Sequence, residues 1–304
     1  RPAVGTPNLV LPTDAVKAAS IPEAGKVTSA RSGVEAGYAA VAESFPDQLY
    51  VVSCDLDPST KLGKARSFLR PDHQFEMSIE EQASSLMANG LAMATHEPQL
   101  VVFSTFAAFF EGIAREGLEM WRYQRNLTGA NEGLNVTFHM SHVGACTGRD
   151  HFSGWALDWI NLAIGYLPYL HRFYAPCDAR SAFVAVKDLA AHYGGHIIAI
   201  PRNNLPVLST QDGAGALYNP EDEWEPVTVC RRQAGATRAV LAFGAPAHLA
   251  IEGAESLNAD VLIVNGFPLE KDTIDNWFDQ YSDGIVTVED GLIGTPETGR
   301  SGFA

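Results

Sequence analysis

Two stretches decide the fold: residues 71–82, PDHQFEMSIEEQ, and residues 103–110, FSTFAAFF. The first predicts an extended segment that enters a helix with carboxylates in its first turn, where they face the unpaired N–H groups of a helix start. The second follows a strand predicted at 100–103 and leads into an aromatic-rich helix. The carboxyl ends of parallel strands share one edge of an open α/β sheet, and ligands bind at that edge. We therefore expect Glu81 and the rings of Phe106 and Phe109 to lie along it.

Both features also have an ordinary interpretation. Glu81 could be an exposed helix residue, and Phe106 and Phe109 could fill a core at helical spacing. Solvated carboxylates and buried phenylalanines are the common case in globular proteins. The residue types alone leave both interpretations open.

The remaining pattern predicts an α/β fold with two doubly wound domains and mostly parallel sheets, because short apolar runs alternate with helix-length segments and lack hairpin turns. In the first series, strands are predicted at 49–53, 100–103, 136–140, 173–175 and 196–200, with helices at 79–95, 105–123, 155–166 and 179–192. In the second series, strands are predicted at 239–243, 261–264 and 285–288, with helices at 247–257 and 270–281.

These series predict four parts along the chain. An N-terminal arm at 1–28 is rich in Pro, Ala and Thr without a sustained period, and a larger α/β domain follows at 29–205. Turn-forming pairs and an acidic cluster predict a linker at 206–237. A smaller α/β domain takes up 238–304, where the glycines replace an expected closing helix and suggest an incomplete carboxyl end.

Composition narrows the class of protein. The 304 residues are enough for two domains, and 46% hydrophobic with 19% charged residues is typical of a soluble globular chain. A net charge of −15 argues against nucleic acid or an anionic membrane as partner. The apolar runs are too short to span a membrane. Four widely spaced cysteines without a C-x-x-C pair fit a reducing cytoplasm, where we expect the protein.

Several motifs, in order, resemble those of the transketolase family from about Ser29 to the end of the chain. The opening stretches resemble G-I-x-E-Q followed by T-F-x-x-F, with Ser78 in place of the glycine. The other matches are DLDPS at 55–59, SHVG at 141–144, GRD at 148–150, PCD at 176–178 and PRNNLP at 201–206.

The resemblance implies roles for individual residues. Glu81, Phe106 and Phe109 would hold the aminopyrimidine of thiamine diphosphate, with Asp55 also at the cofactor, which makes 29–205 a pyrimidine-binding domain. Glu81 and His142 would act in catalysis. The residues implied to bind substrate are Arg31, Ser59, His142, Asp150 and Arg202. This set is physically coherent, because two guanidinium groups can grip a phosphate through paired hydrogen bonds.

One loop departs from the family pattern. Gly154 stands where the family has a histidine, His151 replaces the glycine after Asp150, and Asp158 is followed by Trp159. The family histidine helps to order substrate hydroxyls. The choice of acceptor is therefore left open by the sequence.

The motif that holds the diphosphate and its Mg²⁺ is missing from these residues. Thiamine enzymes use G-D-G followed about thirty residues later by N-N, since the metal needs hard oxygen ligands. Here Gln211-Asp212-Gly213 follows Asn203-Asn204, in the wrong order. We expect no metal site in this chain and interpret it as the carboxyl-terminal half of a split transketolase. A partner subunit with G-D-G and N-N would complete an α2β2 heterotetramer.

The implied activity moves a two-carbon ketol unit from a ketose, expected to be phosphorylated, to an aldehyde acceptor. One alternative is the β component of a 2-oxo acid dehydrogenase, which shares the two-domain architecture. Another is a non-catalytic subunit that stabilises a thiamine enzyme partner. The D-L-x-x-S and R-x-N-L-P matches favour the transketolase, whereas Gly154 favours the non-catalytic subunit.

Overall fold

The computed structural model describes residues 2–94, 97–110, 115–128, 134–145 and 159–291. In these ranges the strands are β1 (Val27–Ser29), β2 (Leu49–Ser53), β3 (Gln74–Glu76), β4 (Leu100–Phe106), β5 (Val136–Val143), β6 (Arg172–Tyr174), β7 (His196–Pro201), β8 (Asn204–Pro206), β9 (Val227–Arg231), β10 (Arg238–Phe243), β11 (Asp260–Val264), β12 (Gly266–Phe267) and β13 (Gly284–Glu289). The helices are α1 (Thr13–Ala18), α2 (Arg31–Ser44), α3 (Asp57–Thr60), α4 (Gly63–Arg66), α5 (Glu81–Ala94), α6 (Ala107–Phe110), α7 (Arg115–Thr128), α8 (Trp159–Tyr166), α9 (Ala179–Ala191), α10 (Ala247–Ala254) and α11 (Lys271–Gln280), with 3₁₀ turns at Pro71–His73 and Leu167–Tyr169.

The larger sheet has the order β12-β6-β7-β5-β4-β2-β3 and is parallel except for β12. Its central strands β4 and β5 are buried at every position on both faces, because helices cover both sides of the sheet. Helices α2 and α9 cover one face, and α5 and α7 cover the other. The packing of α2 against α9 is close, because a Cβ on Gly33 would lie 1.6 Å from the carbonyl oxygen of Ala179.

The smaller sheet has the order β13-β10-β11-β9, with β9 antiparallel to β11 and the other pairs parallel. Together the two sheets confirm the predicted α/β class with mostly parallel sheets. Strand β12, which follows β11 in the chain, pairs with β6 and so joins the larger sheet. The two units therefore share a sheet as well as side-chain contacts.

Strand order changes direction between β2 and β4. The chain passes from β2 outward to β3 and then returns through α5 to β4 on the other side of β2. Such a reversal leaves a crevice at the carboxyl ends of the two strands. Helix α5, which begins at Glu81, starts beside that crevice.

Strand β4 is longer than predicted, and the single helix predicted at 105–123 is wrong at its start. It continues through Ser104 and Thr105 to Phe106, and the next helical residues fall into α6 and the separate helix α7. The run of β-branched and aromatic residues favours an extended backbone, which explains the longer strand. Phe106 and Phe109 therefore do not share a helix.

The predicted arm and linker contain ordered elements. In the arm, the backbone N–H groups of Asn8 and Leu9 donate to the carbonyls at the end of α9, and Leu9 and Val16 are buried. In the linker, residues 227–231 form β9, which pairs with β11. Both pairings join segments far apart in the chain, so no local periodicity predicted them. The limits of the predicted domains otherwise stay a prediction.

Ser78, which replaces the family glycine, has a φ of +56° in the left-handed region. Replacing Ser78 with glycine is expected to raise the free energy of unfolding by up to ~1 kcal/mol, because glycine adopts this backbone without the Cβ penalty. The control is Ser67→Gly, since Ser67 is exposed and has a φ of −64°. It should lower stability by ~0.5–1 kcal/mol through added backbone freedom. Equilibrium urea unfolding measures both, and changes of the same sign would contradict the expectation.

Within the described ranges, no helix combines the length and apolar character needed to span a bilayer.

Candidate active site

Glu81 occupies the crevice at the strand-order reversal. It is the first residue of α5 and only 3% exposed, whereas its neighbour Glu80 is exposed. The hydroxyl of Thr105, near the end of β4, donates to Glu81 Oε1 at 3.3 Å. A carboxylate in such surroundings is partly desolvated and oriented by a hydrogen bond, which are the conditions that fit a carboxyl group to proton transfer.

A buried thiol lies beside this carboxylate. Cys54, just after β2, donates through Sγ to Ser84 Oγ at 3.3 Å. Burial raises the pKa of the Cys54 thiol to about 11, and the negative charge of Glu81 adds to the rise. Cys54 therefore stays protonated and acts as a neutral donor to Ser84.

Two aromatic rings continue the site along the sheet edge. Phe106 is buried at the last position of β4, and its ring stacks on the imidazole of His142 with 4.1 Å between centroids and 14° between planes. The ring of Phe109, which is half-buried in α6, lies 6.0 Å from that of Phe106. Because Phe106 follows Thr105 directly, the rings and Glu81 lie at the carboxyl end of the same strand.

Arg31, the first residue of α2, contacts three segments near the carboxyl end of β5. Its Nη1 lies 3.1 Å from His142 Nε2 and donates to the carbonyl oxygen of Ser59 at 2.9 Å, while Nε donates to Ser29 Oγ at 2.9 Å. A guanidinium can only donate, so Nε2 is the acceptor, and neutral His142 then carries its proton on Nδ1. Ser59 thus contacts Arg31 through its backbone carbonyl.

His142 lies at an irregular point of β5. Its φ is +60°, and the pairing of β5 with β7 shifts register between Ser141 and Val143. Three residues earlier in β5, burial lowers the pKa of His139 to about 3, so that ring is neutral. Its Nε2 forms a hydrogen bond of 2.8 Å with Ser141 Oγ.

The remaining predicted residues lie at different points. Arg202 is half-buried and follows Pro201, which aligns with Val143, so the backbone brings Arg202 to the edge that carries His142. Asp55 is exposed after β2, with a φ of +59°, and its N–H donates to Glu76 Oε1 at 2.6 Å. Asp150 lies outside the described residues, as do His151, Gly154 and Asp158.

The structure therefore places His142 in contact with both Arg31 and Phe106, and it places Glu81 in contact with Thr105, the residue before Phe106. Asp55 instead donates its backbone N–H to Glu76. Sequence reasoning gave no role to Thr105 or Cys54, although Thr105 is the threonine of the T-F-x-x-F motif. The assigned roles stay predictions.

Comparison with known families decides the membership of the chain. Residues 28–207, more than half of the chain, match the family of transketolase pyrimidine-binding domains. The chain belongs to this family. The predicted relation to transketolases is confirmed, and membership implies the use of thiamine diphosphate.

Among curated relatives, this chain is similar to the 1-deoxy-D-xylulose-5-phosphate synthases of Alkalilimnicola ehrlichii and Alcanivorax borkumensis. The first is 27% identical over 267 residues, which cover 84% of this chain and 37% of the relative. The second is 26% identical over 254 residues, which cover 82% of this chain and 35% of the relative. The chain thus spans about a third of the length of the curated relatives that it matches.

Solved transketolases share the fold. A split-gene transketolase, described as an inactive β4 tetramer, matches with a TM-score of 0.66 and 22% identity over 88% of this chain and 81% of that chain. The transketolase of Leishmania mexicana matches with a TM-score of 0.71 and 17% identity over 93% of this chain and 41% of that chain. At these identities the likeness concerns the fold alone.

The residues of the crevice fit the pyrimidine end of thiamine diphosphate. An aminopyrimidine offers ring nitrogens to a carboxyl group and apolar faces to aromatic rings. The pyrimidine-binding domain supplies Glu81, oriented by Thr105, and the neighbouring rings of Phe106 and Phe109. Within the described ranges, no group of three or more His, Cys, Asp or Glu side chains is placed to hold a metal ion.

Proposed function

We propose that this chain is a subunit of a thiamine diphosphate-dependent transketolase that moves a two-carbon ketol unit from a phosphorylated ketose to an aldehyde. The observation that carries the proposal is the buried Glu81 at the strand-order reversal, next to a strand end where Arg31, Phe106 and His142 are in contact. This arrangement supports proton transfer at one end of the crevice and anion binding at the other.

Glu81 would hold a proton against N1′ of the aminopyrimidine. Thr105 fixes the carboxyl group by its hydrogen bond, and burial excludes water from the pair. Phe106 and Phe109 would flank the pyrimidine, at ~1 kcal/mol per aromatic contact beyond burial. When bound, the cofactor supplies the carbanion chemistry by which the two-carbon unit moves.

The anion-binding end is built on the start of α2. A cation at the first position of a helix faces the positive end of the helix dipole, so Arg31 is unfavourably placed unless an anion comes near. The N-cap residue is Ala30, which provides no side-chain cap for the first N–H groups. The N–H groups of Arg31 and Gly33 already donate to Ser29 Oγ and to the Ala30 carbonyl, so the guanidinium of Arg31 is the group that suits a phosphate. Arg202 and His142 would add further donors.

We propose further that a partner subunit holds Mg²⁺ and the diphosphate. The surface beside Glu81 supports this, because residues 82–94 of α5 contain no charged side chain. Leu86 and Met93 on this helix are 41% and 38% exposed, and Ile79 just before it is 74% exposed. Exposed, uncharged surface next to an active site is typical of an interface. The split-gene transketolase, of which this chain covers 81%, is a multi-chain protein by its description.

A second candidate activity follows from the curated relatives. Their product, a 1-deoxyketose phosphate, carries a methyl group at C1, whereas ketol transfer leaves a hydroxymethyl group there. The two-carbon units differ accordingly, while the phosphorylated acceptor would use the same anion-binding end. The C1 group of the product therefore distinguishes the two activities.

The test is reconstitution of the full chain with a subunit that carries G-D-G and N-N. We expect turnover of ketose phosphate and aldehyde that needs both chains, thiamine diphosphate and Mg²⁺, with the product identified by NMR at C1. A second reaction offers a three-carbon 2-oxo acid as donor in place of the ketose. Release of CO2 and a 1-deoxy product in that reaction would favour the second candidate. Full ketol transfer by this chain alone, or none with any cofactor-loaded partner, would contradict the proposal.

A further inference from the structure

Asp290 reaches from the smaller sheet to the end of β5. It directly follows β13, and its Oδ1 accepts a hydrogen bond from the backbone N–H of Ala145 at 3.1 Å. A Cβ on Gly144 would lie 2.0 Å from Asp290 Oδ2, so the carboxylate packs directly on that backbone. Gly144 and Ala145 are the second and third residues after His142.

The backbone that Asp290 contacts is in an uncommon conformation. His142 has a φ of +60° and Gly144 a φ of +87°, and the β5–β7 register shifts between Ser141 and Val143. A histidine at positive φ costs free energy, so it persists only where surrounding contacts hold it. Arg31 supplies one such contact from the side of α2. Asp290 supplies another from the opposite unit.

Asp290 is itself held firmly. The indole Nε1 of Trp159 donates to the carbonyl oxygen of Asp290 at 2.9 Å. Trp159 is buried, and its ring stacks on Phe243 of β10 with 5.6 Å between centroids and 7° between planes. The aromatic contact ties the Asp290 segment to the core of the smaller sheet.

We propose that Asp290 is a positioning residue for His142: its carboxylate fixes the turn at 144–145 and so holds the imidazole beside Arg31 and Phe106. The smaller unit thereby shapes the candidate site without contacting substrate. The expected effect of Asp290 on substrate use rests on the proposed function. The hydrogen bond between Asp290 and Ala145 does not depend on that function.

The test compares Asp290→Ala with Asp290→Asn in the full chain. Alanine removes the acceptor, whereas asparagine keeps an oxygen that can accept from Ala145. Hydrogen exchange of the peptide that ends at Ala145 should be about two- to tenfold faster in the alanine variant, because one partly solvated hydrogen bond is lost. The asparagine variant should exchange at the parent rate.

In the reconstituted assembly, Asp290→Ala should raise KM for the phosphorylated substrate about two- to tenfold with little change in kcat. Asp290→Asn should restore the parent KM. The control is Asp283→Ala, because Asp283 is an exposed carboxylate of the same unit whose partner is Thr237 Oγ1, at 2.8 Å. This control should alter neither exchange near 145 nor KM.

Three results would overturn the inference: unchanged exchange in Asp290→Ala, equal effects of Asp290→Ala and Asp283→Ala, or an asparagine variant as impaired as the alanine variant. An inactive parent assembly would instead contradict the proposed function. In that case the exchange measurement still decides whether Asp290 fixes the turn.

Discussion

Replacing Glu81 with glutamine is expected to lower turnover of the reconstituted assembly by about a hundred- to ten-thousandfold, the usual range for loss of a proton-transferring side chain. Glu81 is 3% exposed and accepts from Thr105. Glutamine keeps the size of the side chain and an oxygen for Thr105, so the fold and partner assembly should persist. It cannot hold an ionisable proton against the pyrimidine, and the chemistry should fail for that reason.

The adjacent carboxylate gives a matched control. Glu80 is exposed and lies just before the helix that begins at Glu81, so its side chain lies in solvent and not in the crevice that contains Glu81. Glu80→Gln should therefore keep parent activity. Steady-state rates at saturating thiamine diphosphate measure both variants, and circular dichroism checks the fold. Equal rates for Glu81→Gln and the parent would rule out the proposed role of Glu81.

Much of the fold could be predicted because the larger sheet is parallel. Its strands are buried on both faces and appear in the sequence as short apolar runs, as at Leu49–Ser53 and His196–Pro201. The helices between them carry local signals, such as Asp178 before α9, whose side chain caps Ser181 and Arg180. Local patterns of this kind are sufficient to predict an α/β class.

The edges of the sheets could not be predicted in the same way. Strands β9 and β12 are antiparallel additions. Strand β1 pairs with β8 across 175 residues, from Ser29 to Asn204. Such pairings depend on tertiary contacts and leave no period in a short segment. The end of β4 was also mispredicted. Phe106 and Phe109 are spaced i and i+3, as on one face of a helix, although Phe106 is the last residue of a strand.

The sequence predicted which residues belong to the candidate site, but it did not predict the contacts among them. Motif order brought Arg31, Ser59 and His142 together as candidates. Their geometry depends on a contact across 111 residues from Arg31 to His142, and on a hydrogen bond to the backbone carbonyl of Ser59, which no side-chain motif predicts. Asp290 carried no sequence signal, because its partner is a backbone N–H, which any residue type can offer.

Replacing Arg31 with lysine is expected to weaken use of a phosphorylated substrate by ~2–3 kcal/mol, or about 30- to 150-fold, mostly in KM. Lysine keeps the charge but lacks the planar pair of donors that grips a phosphate. It would also lose the simultaneous contacts to His142 Nε2 and the Ser59 carbonyl. Arg70→Lys is the control, because Arg70 is an exposed cation paired with Asp72.

An unphosphorylated analogue of the same substrate separates the two consequences of losing Arg31. If Arg31 binds the phosphate, the loss in kcat/KM should nearly vanish with the analogue, since there is no phosphate left to grip. If Arg31 acts chiefly by orienting His142 through Nη1, kcat/KM should fall equally for both substrates. Equal losses would therefore contradict the phosphate assignment while leaving Arg31 in the site, because the 3.1 Å contact with His142 would then account for the whole effect.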